Sequence, residues 1–77
     1  MPRLPVASGR QVVRALERAG FVLDHHTGGH AILWHPERRR SASVPLHGGR
    51  DLRPGTLRAI IRQAGLSIEE FDGLLRP

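Results

Sequence analysis

Two runs of six residues, Phe21-Val22-Leu23-Asp24-His25-His26 and His30-Ala31-Ile32-Leu33-Trp34-His35, decide how this chain folds. Both are of strand length, and the residues between them, Thr27-Gly28-Gly29, tolerate positive φ, so the segment predicts a β-hairpin. A three-residue loop sets His26 opposite His30, Asp24 opposite Ile32 and Val22 opposite Trp34. Alternation of period two then gathers Phe21, Leu23, Ala31 and Leu33 on one side, with His25 and His35 at its margins. That side is the more apolar and should be covered by helices. The other side carries His26, His30 and Trp34. A slip of one residue exchanges the two faces, so this assignment rests on the register.

Outward from the hairpin, Pro36 to Arg40 forms a connection and Ser41 to Leu46 a third strand. Its Ala42, Val44 and Leu46 point inward, while Ser43, Pro45 and then His47 point to the open face. Pro45 lacks a backbone donor, which marks a sheet edge or the end of pairing. A loop follows through Gly48-Gly49-Arg50. Upstream, Ser8 and Gln11 have the spacing of a capping box, and Val12, Val13, Leu16 and Ala19 recur at helical spacing. Arg10, Arg14 and Arg18 share the opposite side, and Gly20 supplies the stop, so a helix is predicted over 9–19. Downstream, Leu57, Ile60, Ile61 and Ala64 mark a second helix from near Pro54 to Gly65. Ser67 and Glu70 form another capping box, which opens a last helix to about Leu75. The predicted class is α+β, in the order α-β-β-β-α-α, with a three-stranded antiparallel sheet covered by helices on one face. Residues 1–77 read as one domain, with residues 1–7 as an extended arm.

Seventy-seven residues leave room for one small core. Twelve Arg and no Lys against seven acidic residues give a net charge of +5, which favours a polyanion or an acidic protein as partner. The absence of Cys excludes disulfides and thiolate zinc sites. No apolar run reaches the ~18 residues of a membrane span, and no signal-peptide core is visible, so a cytoplasmic protein is expected.

Gly20-Phe21, Gly28-Gly29-His30, Val44-Pro45-Leu46-His47, Gly55-Thr56-Leu57, Ile60 and Gln63-Ala64-Gly65-Leu66 follow one another in an order and spacing that resemble the HicA family of bacterial toxins. These are small ribonucleases encoded beside an antitoxin. The first helix agrees in type and position, so the resemblance covers almost the whole chain. It implies a fold like a double-stranded-RNA-binding domain and a metal-independent endoribonuclease that cleaves mRNA, with no cofactor. The family's catalytic His follows a Gly-Ser pair, and by position it is His30. Gly29 stands here where the family usually has Ser, and His25-His26 where it often has Arg-Gln. A HicB-like antitoxin is implied as partner, burying the open face or occluding His30.

The chemistry agrees with those residue types. RNA carries its own nucleophile, the 2′-hydroxyl, so the protein must add proton transfer and stabilisation of the phosphorane's charge. An imidazole titrates near cytosolic pH and suits the first task. Gly28 and Gly29 leave room beside His30 for an RNA backbone. Arg suits the second task through bidentate phosphate contacts. Arg38, Arg39 and Arg40 are the densest cluster, and Arg50 and Arg53 flank the loop after His47. His47 is an auxiliary acid/base, a phosphate contact or simply a strand end. Trp34 offers a surface on which a base can stack. His26 and His30, facing each other with His47 nearby, are also a conceivable ligand set, but without a carboxylate partner no metal site is assigned. Two other readings use the same residues: a non-catalytic RNA-binding module, and a degenerate toxin that only binds its antitoxin.

Overall fold

The computed structural model describes residues 3–76. In chain order it contains α1 (Gly9–Arg18), β1 (Val22–Thr27), β2 (His30–His35), β3 (Arg40–Pro45), α2 (Pro54–Ala64) and α3 (Ile68–Leu75). The strands form one antiparallel sheet in the order β1-β2-β3. This is the predicted α+β architecture, similar to that of a double-stranded-RNA-binding domain.

Local signals account for the helices. The Ser8 hydroxyl accepts from the Gln11 amide at 3.3 Å, while the Gln11 side chain accepts from the Ser8 amide at 2.8 Å. Ser67 and Glu70 repeat the exchange at 3.0 and 2.9 Å for α3. Pro54 opens α2, where no intrahelical donor is lost, and Gly65 closes it at φ 74°. Arg18 ends α1 one residue earlier than predicted, and Gly20 at φ 102° turns the chain into β1.

The predicted arm is pinned at its end: Ala7 is fully buried and its carbonyl accepts from the Leu52 amide at 2.9 Å, while Ser8 pairs with Asp51. Met1 and Pro2 lie outside the described residues. Gly9 sits so close to β3 that a Cβ there would run into the Pro45 carbonyl oxygen.

The hairpin departs from its predicted register. The turn is Gly28-Gly29 alone, with φ of 53° and 80°, the pair of positive values that a type I′ turn requires. Thr27 therefore joins the ladder opposite His30, followed by His26 opposite Ala31 and His25 opposite Ile32. Asp24 is then an extra residue in a β-bulge, after which Leu23 opposes Leu33 and Val22 opposes Trp34 as predicted. The expected His26–His30 and Asp24–Ile32 pairs do not form. His26 lies on the helix-covered side and His25 on the open one, the reverse of the sequence expectation. Two glycines at positive φ shorten the turn by one residue, and the bulge absorbs that residue so that Leu23 stays opposite Leu33 on the helix side, where it is nonetheless 39% exposed and not in the core as expected.

Inward-facing Ala31, Leu33, Ala42 and Val44 pack with Val12, Leu16, Phe21, Leu57, Ile60, Ile61 and Phe71 in one buried cluster. His35, expected at a margin, is buried within it. Its Nδ1 accepts from the Arg38 amide at 3.1 Å and its Nε2–H donates to the Ala19 carbonyl at 3.2 Å, so the neighbours select the Nε2–H tautomer. The ring meets Phe21 edge-on at 5.0 Å.

Candidate active site at the hairpin end of the sheet

His30 is the first residue of β2, between Thr27 on β1 and Pro45 on β3, with its side chain half-buried on the open face. Its Nδ1 lies 3.3 Å from the Gly28 carbonyl oxygen. A carbonyl can only accept, so Nδ1 carries the proton and the neutral ring keeps its lone pair on Nε2. Gly28 and Gly29 have open space where a Cβ would be; their positive φ, not crowding, calls for glycine. That bare turn leaves His30 open to an approaching backbone.

His47 reaches the same place by a different route. Pro45 pairs with His30, and the next amide, of Leu46, donates to the Gly29 carbonyl at 2.8 Å, prolonging β3 along the hairpin turn. The His47 ring then stands 6.5 Å from that of His30, centroid to centroid, at 78°. A second Gly-Gly turn follows, Gly48 and Gly49 at φ 55° and 85°, closed by the Arg50 amide on the His47 carbonyl at 3.0 Å. The turn returns the chain to the Ser8–Asp51 bridge and the start of α2. A cleft of about 360 Å³ results, lined by Pro45, His47, Arg50, Asp51, Arg53 and Thr56 among others. The structure thus joins His47 to Arg50 and Arg53, with the His30 ring 6.5 Å from that of His47.

Other predicted residues lie elsewhere. Arg38 and Arg39 of the β2–β3 turn, and Arg40 at the start of β3, are at the far end of β2, roughly 16 Å from His30 at ~3.3 Å per residue. Arg40 lies over the C-terminus of α2, with its guanidinium 3.4 Å from the Gln63 carbonyl and packed against Gly65. Arg39 adopts φ 54° in this turn. Trp34 is exposed on the open face beside Val22, also toward that far end. His26 instead lines a separate groove with Arg10, Arg14 and Leu23 on the α1 side. It cannot share a metal with His30 across the sheet, and among the described residues no three His, Cys, Asp or Glu side chains are grouped to hold a metal ion.

Sequence reasoning gave no site role to Asp51, which no motif marks, or to Thr56, which it read only within the Gly55-Thr56-Leu57 run; both line the cleft. It also missed the pairing of His25 with Asp24, whose Oδ2 is 2.6 Å from Nδ1. Only the bulge reveals that pair. Among the described residues, no helix is long and apolar enough to cross a membrane.

No curated protein matches the chain. The family model described as the HicA toxin of bacterial toxin–antitoxin systems matches residues 9–66, from the first residue of α1 to the residue after the Gly65 stop. That span takes in the hairpin, the His47 turn and three-quarters of the sequence, and with the fold observed it places the chain in the HicA toxin family.

Proposed function

We propose that the chain is the endoribonuclease toxin of a type II toxin–antitoxin pair, cleaving mRNA without a cofactor through His30. The observation that carries this reading is the grouping of His47, Arg50 and Arg53 in one cleft at the hairpin end of the sheet, with the His30 ring 6.5 Å from that of His47 and, among the described residues, no hydrogen-bond partner on His30 Nε2. Nε2 takes the proton from the 2′-hydroxyl as that oxygen attacks phosphorus. His47 is auxiliary, close enough to His30 for both rings to flank one phosphate. Arg50 and Arg53 neutralise the charge that builds on the phosphorane, where preorganised donors are most effective. A positioned acid or base typically contributes ~10²–10⁴-fold in rate.

Away from the site, the open face offers Trp34 for base stacking, with Arg38 and Arg39 beyond it for phosphates. RNA running along this face crosses the sheet from the Gly28-Gly29 turn toward the β2–β3 turn. A HicB-like antitoxin that covers Val22, Ile32 and Trp34 buries apolar surface and blocks His30 at once. An acidic surface on it would complement the net charge of +5 and accelerate association.

The test compares wild type with His30→Ala on a long single-stranded RNA in excess chelator, with the fold of each followed by circular dichroism. Cleavage by wild type that is lost in a folded His30→Ala is the expected result. Equal retardation of RNA by both proteins with no cleavage by either would establish an RNA-binding module instead, and cleavage that survives in His30→Ala would remove His30 from the mechanism.

A further inference from the structure

We infer that His25, held by Asp24, is the second proton-transfer residue of the site, donating to the 5′-oxygen that leaves as His30 takes the 2′-hydroxyl proton; this rests on the ribonuclease reading above. The bulge makes the pair. In an unbroken ladder Asp24 would alternate to the helix-covered side and point away from His25. As the extra residue it is released from that alternation, and its carboxylate reaches the His25 ring at 2.6 Å. A carboxylate accepts, so Nδ1 carries the proton and Nε2 faces outward, the same disposition as in His30.

The register sets where the two residues stand. His25 opposes Ile32, and His30 lies two residues before Ile32 on β2, so the two histidines are diagonal neighbours on one face. Such positions are ~7–8 Å apart, within reach of long or aromatic side chains. Their partners differ: the Asp24 carboxylate lies against His25, and the Gly28 carbonyl against His30. Both members of the Asp24–His25 pair are more than half exposed, and an exposed pair contributes little to stability. His47, by contrast, has no hydrogen bond to orient its ring among the described residues, and lies in the arginine cleft that suits phosphate holding.

The step balances. The 2′-oxygen–phosphorus bond forms as the phosphorus–5′-oxygen bond breaks. The 2′-hydroxyl proton goes to His30 Nε2, and the proton on His25 Nε2 goes to the departing 5′-oxygen. The products are a 2′,3′-cyclic phosphate and a 5′-hydroxyl end, and exchange with water resets both rings.

A leaving group that needs no proton tests this directly. Single-turnover cleavage is measured at a linkage that wild type cuts, with either the natural 5′-oxygen or a bridging 5′-sulfur, for wild type, His25→Ala, Asp24→Asn and His47→Ala. All are checked for folding and for RNA binding. His25→Ala should lose about 10²–10³-fold on the oxygen substrate and recover to near wild type on the sulfur one. Asp24→Asn should show a smaller loss with the same recovery, as expected of a positioning residue. Oxygen-substrate cleavage by His25→Ala within threefold of wild type, or an equal loss on both substrates, would overturn the inference while leaving His30 in place. Sulfur rescue in His47→Ala alone would transfer the role to His47. Wild type that cuts neither RNA would overturn this inference and the ribonuclease reading together.

Discussion

His35→Ala should unfold the protein far more readily while leaving each folded molecule's cleavage rate at saturating RNA unchanged. His30 and His35 occupy the two ends of β2, and five residues of a period-two strand put them on opposite faces. His35 is 7% exposed and joins three segments: the end of α1 through Ala19, the β2–β3 turn through Arg38, and the core through Phe21. Two hydrogen bonds at roughly 0.5–1.5 kcal/mol each, with an edge-on ring contact of similar size, amount to a loss of about 2–4 kcal/mol. A domain of this length has a total stability of roughly 4–11 kcal/mol. With a urea slope near ~1 kcal/mol/M, the midpoint should fall by about 2 M or more. The assay is urea unfolding followed by circular dichroism, beside RNA cleavage at a temperature where the variant is folded. A loss below about 1 kcal/mol would refute the bridging role assigned to the ring. An intact midpoint with lost cleavage would mean that the structural and catalytic histidines have been exchanged.

Gly9→Ala should destabilise by about 1–3 kcal/mol, since the new methyl meets the Pro45 carbonyl and backbone must move; thermal melts measure it. A melt that matches wild type would show that α1 and β3 are less tightly apposed. Ser67 holds the Glu70 carboxyl below its ordinary value of 4.5 through backbone and side-chain hydrogen bonds. A lowered carboxyl stabilises the fold in full above the unfolded value and loses that contribution as pH falls through the folded one. Glu70→Gln, which removes the titrating carboxyl, should therefore flatten the fall in Tm below pH ~4.5, and an unchanged slope would count against the cap. Arg50→Ala and Arg53→Ala should each reduce the slope of log affinity for single-stranded RNA against log salt by about 0.7. Arg40→Ala, whose guanidinium lies over α2, should leave that slope as it is.

Much of the fold was legible because its signals are local. Ser8 with Gln11, Ser67 with Glu70, Pro54 and the glycines at 20 and 65 each act within a turn of chain, and the helices start and stop where these residues require, within a residue. The sheet order and the inward set Ala31, Leu33, Ala42 and Val44 followed from period-two alternation, which depends only on backbone geometry. His30 was singled out through its resemblance to a family pattern, and its company with His47 follows once β3 pairs with β2.

The turn length, the bulge and the fate of each histidine belong to the tertiary structure. Thr27-Gly28-Gly29 is compatible with a loop of two residues or three, and nothing local decides between them. The choice is made by core packing: Phe21 must stay buried while two positive-φ glycines close the turn, so the surplus residue is expelled at Asp24. That one displacement moves His26 away from His30, turns Asp24 onto His25, and gives the open face a different set of imidazoles from the one that alternation predicts. Burial decides His35 in the same way, because a ring becomes a core bridge only when α1 and the Arg38 turn meet on either side of it. Helix ends are set by a few neighbouring backbone groups and can be read in one dimension; strand register is set by contacts between distant segments and exists only once the chain is folded.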